Sequence, residues 1–132
     1  MATLDFTPLS NALVQLREGI AEAERQPYQD IIRDGAIQRY EYSFELCIKM
    51  IKRVLEIQFA EQVDTMPFRD MLRCAFEHGL ISDPTLWFGF RDDRNKTAHT
   101  YDENVAAIVF EASKRFLPEA ELLLSRLERT NP

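Results

Sequence analysis

One apolar pattern constrains the fold of this chain more than any other feature of its sequence. From about Gln29 to Glu61, large apolar residues recur every three or four positions over about six turns, the spacing of one helical face. The residues that follow this period are Ile37, Tyr40, Phe44, Cys47, Ile48, Ile51, Leu55 and Phe59. The pattern predicts a long α-helix with one buried side.

Shorter segments of the same kind lie on both sides of this helix. A first helix is predicted from Pro8 to Arg25, because Pro27 cannot continue it. Thr65 is expected to cap a short helix opened by Pro67, and Gly79 lies just past its end. No segment shows a competing strand pattern.

The remaining start and stop signals define the second half of the chain. Asp83-Pro84 combines an acceptor side chain with proline at the first helical position and begins a fourth helix. Asp102 can cap a fifth, which Pro118 is expected to kink or break. The sequence therefore predicts an all-α, up-and-down bundle of five or six helices, which residues 1–132 form as a single domain.

Composition narrows the class of protein. With 45% hydrophobic and 29% charged residues, the chain has the composition of an ordinary globular protein. It has no apolar run of membrane-spanning length and no signal peptide pattern, so we expect a cytoplasmic protein without membrane contact. Cys47 and Cys74 fall within helical patterns and are expected to be reduced and buried. The net charge of −6 argues against nonspecific coating of nucleic acid, so any RNA contact must be local.

The segment "RDDRNKTAHTYDEN", residues 91–104, departs from the apolar pattern. If the fourth helix were continuous, Trp87, Arg94 and Tyr101 would share a stripe that faces protein rather than water. An arginine in such a position needs a partner for its charge.

His99 follows Arg94 by five residues, which on an ideal helix puts them about 140° apart. Two arrangements could still bring them together: a loosening of the helix near Thr97, or convergence across an interface between two copies of the chain. A purely structural alternative pairs Arg94 with a carboxylate such as Glu45 and lets His99 cap a carbonyl group.

These residue types could cleave RNA without a metal ion. Such cleavage needs a base for the proton of the 2′-hydroxyl, an acid for the leaving oxygen and a cation for the charge on phosphorus. Histidine titrates near neutral pH, and the arginine fork fits phosphate oxygens. One copy has too few of these groups, so this hypothesis requires a dimer.

The residues Arg94, Asn95, His99 and Tyr101 resemble the Arg-polar…His-x-Tyr motif of the HEPN superfamily. "AIQRYEYSFELCIKMIKRVLE", "GLISDPTLWF" and "RNKTAHTYDEN" together resemble one branch, the nucleotidyltransferase substrate-binding or HepT-like proteins, over nearly the whole chain. The resemblance implies an all-α bundle that forms a homodimer through its motif helices.

For toxin members the resemblance implies a ribonuclease pair, Arg94 and His99, with Asn95 orienting the site. It implies further that a cognate minimal nucleotidyltransferase, acting as antitoxin, uses ATP to attach AMP to Tyr101. The same resemblance also implies an alternative, non-catalytic function, in which the chain is the substrate-binding subunit of a two-protein nucleotidyltransferase.

Basic residues outside the motif pair could extend a contact surface for RNA or for the partner. Lys49, Lys52 and Arg53 cluster on the polar side of the long helix, within one turn of each other. Lys96 lies within the motif segment itself. We predict no metal site and no cofactor for the chain, because neither a metal-ligand pattern nor a nucleotide-binding loop is recognisable.

Overall fold

Five α-helices form the structure, a computed structural model that describes residues 2–132. They are α1 (Thr7–Arg25), α2 (Asp30–Phe59), α3 (Phe68–Glu77), α4 (Pro84–Asn95) and α5 (Glu103–Arg129). Two short 3₁₀ turns, Val63–Thr65 and Lys96–His99, lie before α3 and after α4. No strand occurs within residues 2–132, and the predicted all-α bundle is confirmed.

The three long helices pack against one another, and the two short ones complete the bundle. α1, α2 and α5 are in mutual contact, while α3 and α4 pack on each other and on α2, and α4 also contacts α5. The apolar face predicted for α2 is the centre of the core, with Tyr40, Cys47, Ile51 and Leu55 fully buried. Cys47 and Cys74 are free and buried, as predicted.

An aromatic cluster fixes α4 against its neighbours. The Phe116 ring on α5 meets the rings of Tyr40, Trp87 and Phe90 edge-on at centroid distances of 5.1 to 5.8 Å. The Tyr40 hydroxyl also donates a hydrogen bond to the Phe90 carbonyl at 2.6 Å. Burial raises the pKa of this hydroxyl, which therefore stays protonated and able to donate. The motif segment thus begins from a rigid helix.

The predicted helix signals around the motif are confirmed. Asp83 accepts a hydrogen bond from Thr85 N at 2.9 Å and caps α4. Asp102 accepts from Asn104 N at 2.9 Å and caps α5. Gly79 ends α3 with φ +76°, a conformation that glycine adopts without strain. None of the helices within residues 2–132 combines the length and the apolar character needed to cross a membrane.

The prediction is wrong at Thr65, and the break that Pro118 could have caused is absent. Thr65 caps no helix: it ends a 3₁₀ turn and its hydroxyl donates to Gln62 O at 2.9 Å, while Pro67 occupies the N-cap position of α3. Pro118 does not break α5, which runs unbroken through it. The proline ring lies exposed, and Phe116, Leu117 and Ala120 around it are buried. Their burial outweighs the roughly 3 kcal/mol cost of an interior proline.

Candidate functional site

The motif residues lie on a tight turn between α4 and α5. Arg94 and Asn95 are the last residues of α4, and the chain tightens into a 3₁₀ turn from Lys96 to His99. Thr97 Oγ1 donates to Arg94 O at 2.7 Å and therefore occupies a carbonyl at the helix end. Local hydroxyl bonds of this kind compete with the α-helical ladder. The helix thus loosens near Thr97, one of the two arrangements that the sequence left open.

Arg94 is paired with carboxylates of α2. Its Nη2 donates to Glu45 Oε1 and lies 3.9 Å from Glu41 Oε1. The hydrogen bond to Glu45 raises the pKa of the guanidinium, so the group is permanently charged. Both contacts use the same nitrogen, and among the described residues Nε and Nη1 of Arg94 make no hydrogen bond. Two donor nitrogens therefore remain for an anion.

His99 and Tyr101 lie side by side at the surface. Tyr101 Oη is 3.5 Å from His99 Nδ1, and the two rings meet edge-on at 6.0 Å. Both residues are exposed, with 83% of Tyr101 accessible. The predicted buried stripe is therefore wrong at Tyr101, although Trp87 is buried, because the 3₁₀ turn changes the direction of the chain. His99 contacts the tyrosine hydroxyl, and among the described residues we find no carbonyl capped by its ring.

One chain does not bring Arg94 and His99 together. Among the described residues no hydrogen bond joins the two side chains. The rotation about the helix axis from Arg94 to His99 consists of two α-helical steps of about 100°, as far as Lys96, and three 3₁₀ steps of about 120°. The two side chains therefore point in directions about 160° apart. Loosening the helix therefore turns the imidazole further from the guanidinium of the same chain.

The proposed accessory residues fall into two groups. Asn95 and Lys96 are exposed beside Arg94, and Lys96 Nζ is 3.2 Å from Asp93 Oδ1. Lys49, Lys52 and Arg53 lie on the polar side of α2, and all three are exposed. At 100° per residue, Lys49 and Lys52 lie within about 40° of the Glu45 direction and Arg53 about 80° from it. The first two therefore continue the stripe on which Glu45 meets Arg94.

A shallow cavity of about 280 Å³ adjoins Arg94 and Asn95. Phe44, Ile48 and Phe68 supply its apolar walls, and the Arg91 guanidinium lies 4.1 Å above the Phe68 ring. Arg91 and Glu41 are the site residues that sequence reasoning missed. The only sequence signal for them was helical spacing. Arg91 precedes Arg94 by three residues and Glu41 precedes Glu45 by four, so each pair shares one helix face.

The fold and the known proteins that it resembles place the chain in a class of all-α proteins associated with nucleotidyltransferases. More narrowly, it belongs to the family described as nucleotidyltransferase substrate binding protein like, whose sequence model matches residues 4–129. The resemblance seen in the sequence is thereby confirmed.

Individual relatives span nearly the whole chain. A Haemophilus influenzae protein named probable ribonuclease HepT is 40% identical over 129 residues, which are 96% of this chain and 88% of the relative. A solved structure from H. influenzae, described as revealing the fold of a substrate binding domain of a nucleotidyltransferase, is 34% identical with a TM-score of 0.87. It covers 93% of this chain and 98% of its own.

A second solved structure, from Thermus thermophilus, is 30% identical with a TM-score of 0.77 and covers 92% of this chain and 99% of its own. At these identities and coverages the bundle is a shared fold.

Proposed function

We propose that this protein is a metal-independent ribonuclease toxin that acts as a homodimer. The observation that carries the proposal is the complete motif on an exposed turn, with Arg94 charged and two of its donor nitrogens free, and with His99 open to solvent. The name of the 40% identical relative, probable ribonuclease HepT, supports the same activity.

The proposed chemistry uses two copies of each group. The imidazole of one His99 takes the proton of an RNA 2′-hydroxyl, and that oxygen forms a bond to phosphorus. The bond from phosphorus to the 5′-oxygen breaks, and the leaving oxygen receives a proton from the second His99. The Arg94 side chains bind the phosphate oxygens and stabilise the charge that builds there. The products are a 2′,3′-cyclic phosphate and a 5′-hydroxyl end.

Asn95 and the basic residues have supporting roles in this proposal. Asn95 follows Arg94 on the same exposed helix end and orients the site. Lys96 and the α2 residues Lys49, Lys52 and Arg53 bind RNA phosphates or the partner protein, so the contact is local on a chain with a net charge of −6.

Control of the toxin would come from Tyr101. A cognate minimal nucleotidyltransferase would transfer AMP from ATP: the tyrosine oxygen bonds to the α-phosphorus, the bond to the β-phosphate breaks and pyrophosphate leaves. Tyr101 is 83% exposed and 3.5 Å from His99. A nucleotide attached there would cover the imidazole and repel RNA phosphate.

A second function is favoured by the carboxylates around Arg94. Glu45 and Glu41 place negative charge beside the guanidinium, and negative charge opposes phosphate binding. In this alternative the chain is a non-catalytic substrate-binding subunit of a two-protein nucleotidyltransferase. The description of the structural relative as a substrate binding domain agrees with it.

RNA cleavage in the presence of EDTA separates the two functions. The wild-type dimer should cleave RNA and leave cyclic phosphate ends, and Arg94→Ala and His99→Ala should each reduce cleavage by about 10²–10⁴-fold, the usual contribution of such groups. Arg17→Ala is the matched control, because Arg17 is also an exposed arginine paired with a carboxylate, Glu121.

Equal cleavage by wild type and His99→Ala would refute the catalytic site proposed here, because His99 would then have no part in the reaction. An inactive wild type that binds the nucleotidyltransferase and raises its activity would establish the binding subunit instead.

A further inference from the structure

Three side chains of metal-binding type meet at the far end of α2. Glu61 follows the end of that helix, Cys74 lies on α3, and His78 follows four residues later at the end of α3. Each offers one ligand atom, and these atoms all lie within 4.8 Å of one another. His78 Nε2 and Glu61 Oε1 are 3.0 Å apart. Among the described residues, His78 is the only ion-pair partner of Glu61.

The backbone holds these side chains in place. Residues four apart on a helix share a face, so α3 directs Cys74 and His78 to the same side. The Phe59 ring stacks on the His78 imidazole at 4.1 Å. Ala60 turns the chain in a left-handed conformation, and Glu61 N then donates to Leu55 O at 2.9 Å. The cluster therefore needs little ordering to bind an ion.

We propose that Glu61, Cys74 and His78 form a binding site for a divalent transition metal ion of the Zn²⁺ type. Thiolate, imidazole and carboxylate together suit Zn²⁺ or Co²⁺, whereas Mg²⁺ and Ca²⁺ prefer oxygen ligands. Ligand atoms of a tetrahedral Zn²⁺ are about 3.3–3.6 Å apart, given bonds of about 2.0–2.3 Å. Small side-chain movements bring the three atoms to that spacing.

Metal binding would exchange the thiol proton for the ion. Burial and the negative charges of Glu61 and Glu77 raise the pKa of the Cys74 thiol, so without metal the sulfur keeps its proton. On binding, a sulfur–metal bond forms and the proton passes to solvent. One thiolate and one carboxylate then neutralise the two charges of the ion, and neutral His78 binds through Nε2.

The fourth ligand would be a water molecule. His78 and Phe59 line an open cavity of about 410 Å³, which also includes Gly79, Arg126 and Arg129 and gives solvent access to this end of the bundle. Phe59 follows Glu45, the partner of Arg94, by fourteen residues on α2. At about 1.5 Å per residue, the two positions are about 21 Å apart along the helix axis. The metal site is therefore separate from the proposed nuclease site and independent of that proposal.

Spectroscopy of the wild-type protein tests the site directly, because the chain has only two cysteines and two histidines. Titration with Co²⁺ should give one equivalent of binding with a sulfur-to-cobalt charge-transfer band. Cys47 cannot supply this band because it is completely buried. With Zn²⁺, the ¹⁵N resonances of the His78 imidazole should shift while those of His99 stay in place.

Thermal unfolding with matched variants completes the test. Zn²⁺ at about 100 times its Kd should raise the Tm by roughly 5–10 °C. Cys74→Ser and His78→Gln should each abolish the Tm rise, and Cys74→Ser should also abolish the cobalt band. The control Glu77→Gln, whose carboxylate is not among the ligands, should keep both. Absence of the band and of the His78 shift in wild type would overturn the proposal. So would binding that persists in both ligand variants.

Discussion

Arg94, on the last turn of α4, forms an ion pair with Glu45, which precedes it by forty-nine residues on α2. The pair fixes the guanidinium over the stripe of α2 that continues to Lys49 and Lys52. It also places a carboxylate where RNA phosphate would bind in the proposed nuclease. Glu45 is therefore expected to hold the arginine in position at some cost in affinity for RNA.

Replacing Glu45 by glutamine should strengthen RNA binding. Glu45→Gln keeps an acceptor for Arg94 and removes one negative charge, so affinity for a 2′-O-methylated, uncleavable RNA should rise roughly fivefold at low salt, the equivalent of about 1 kcal/mol between nearby charges. The gain should shrink at high salt. Fluorescence anisotropy measures it, with Glu121→Gln, which loses the partner of Arg17, as the control. Unchanged or weaker binding by Glu45→Gln would contradict this role.

The Tyr40 hydroxyl should contribute to the attachment of the motif helix. Tyr40→Phe removes a buried hydrogen bond to the Phe90 carbonyl, which should lower the free energy of unfolding by about 1 kcal/mol. The control is Tyr42→Phe, which loses an exposed bond to Gln15 and should change stability by less than about 0.5 kcal/mol. Urea denaturation measures both, and equal losses would show that burial of the Tyr40 bond is unimportant.

Alkaline pH should destabilise the protein partly through the same residue. Folding raises the pKa of Tyr40 from its ordinary value of 10.0, so above pH 10 the unfolded chain loses a proton that the folded chain keeps. Stability then falls by about 1.4 kcal/mol per pH unit for this group. In Tyr40→Phe the free energy of unfolding should fall less steeply above about pH 10, by up to about 1.4 kcal/mol per pH unit. Parallel pH profiles of the two proteins would show that Tyr40 does not contribute.

Tyr101 should be the tyrosine that accepts AMP. Incubation with the cognate nucleotidyltransferase and ATP should increase the intact mass by one or more AMP groups, and Tyr101→Phe should abolish the increase. Tyr28→Phe is the matched control, because Tyr28 is 95% exposed and far from the motif in the chain. A mass increase that survives Tyr101→Phe, or none in the wild type, would refute the assignment.

The sequence predicted the bundle well because its strongest signals are local. The apolar period of α2 and the capping residues Asp83 and Asp102 act within one or two helical turns, and each keeps its role in the structure. Thr65 was misjudged because its hydroxyl bonds locally to Gln62 O in a 3₁₀ turn instead of capping a helix. At Pro118 the buried neighbours hold α5 together despite the missing hydrogen bond.

Only part of the candidate site could be predicted from the sequence. The motif residues lie close together in the sequence and could be recognised by resemblance, whereas the contact of Arg94 with Glu41 depends on how α4 crosses α2. Likewise, the chain length between Glu61 and Cys74 hides their proximity, which the turn at Ala60 and the packing of α3 create. Contacts between distant segments depend on how the helices pack in three dimensions, and no local spacing encodes that packing.

The central claim is that two copies of the chain form one catalytic groove, to which each copy contributes one His99 and one Arg94. Refolding wild-type chains together with an equal amount of His99→Ala chains tests it. About a quarter of the dimers would then hold two intact His99 side chains, so activity should fall to about a quarter of that of the same total amount of wild-type protein. A mixture that keeps about half of that activity would show that each chain acts alone and would contradict the shared groove.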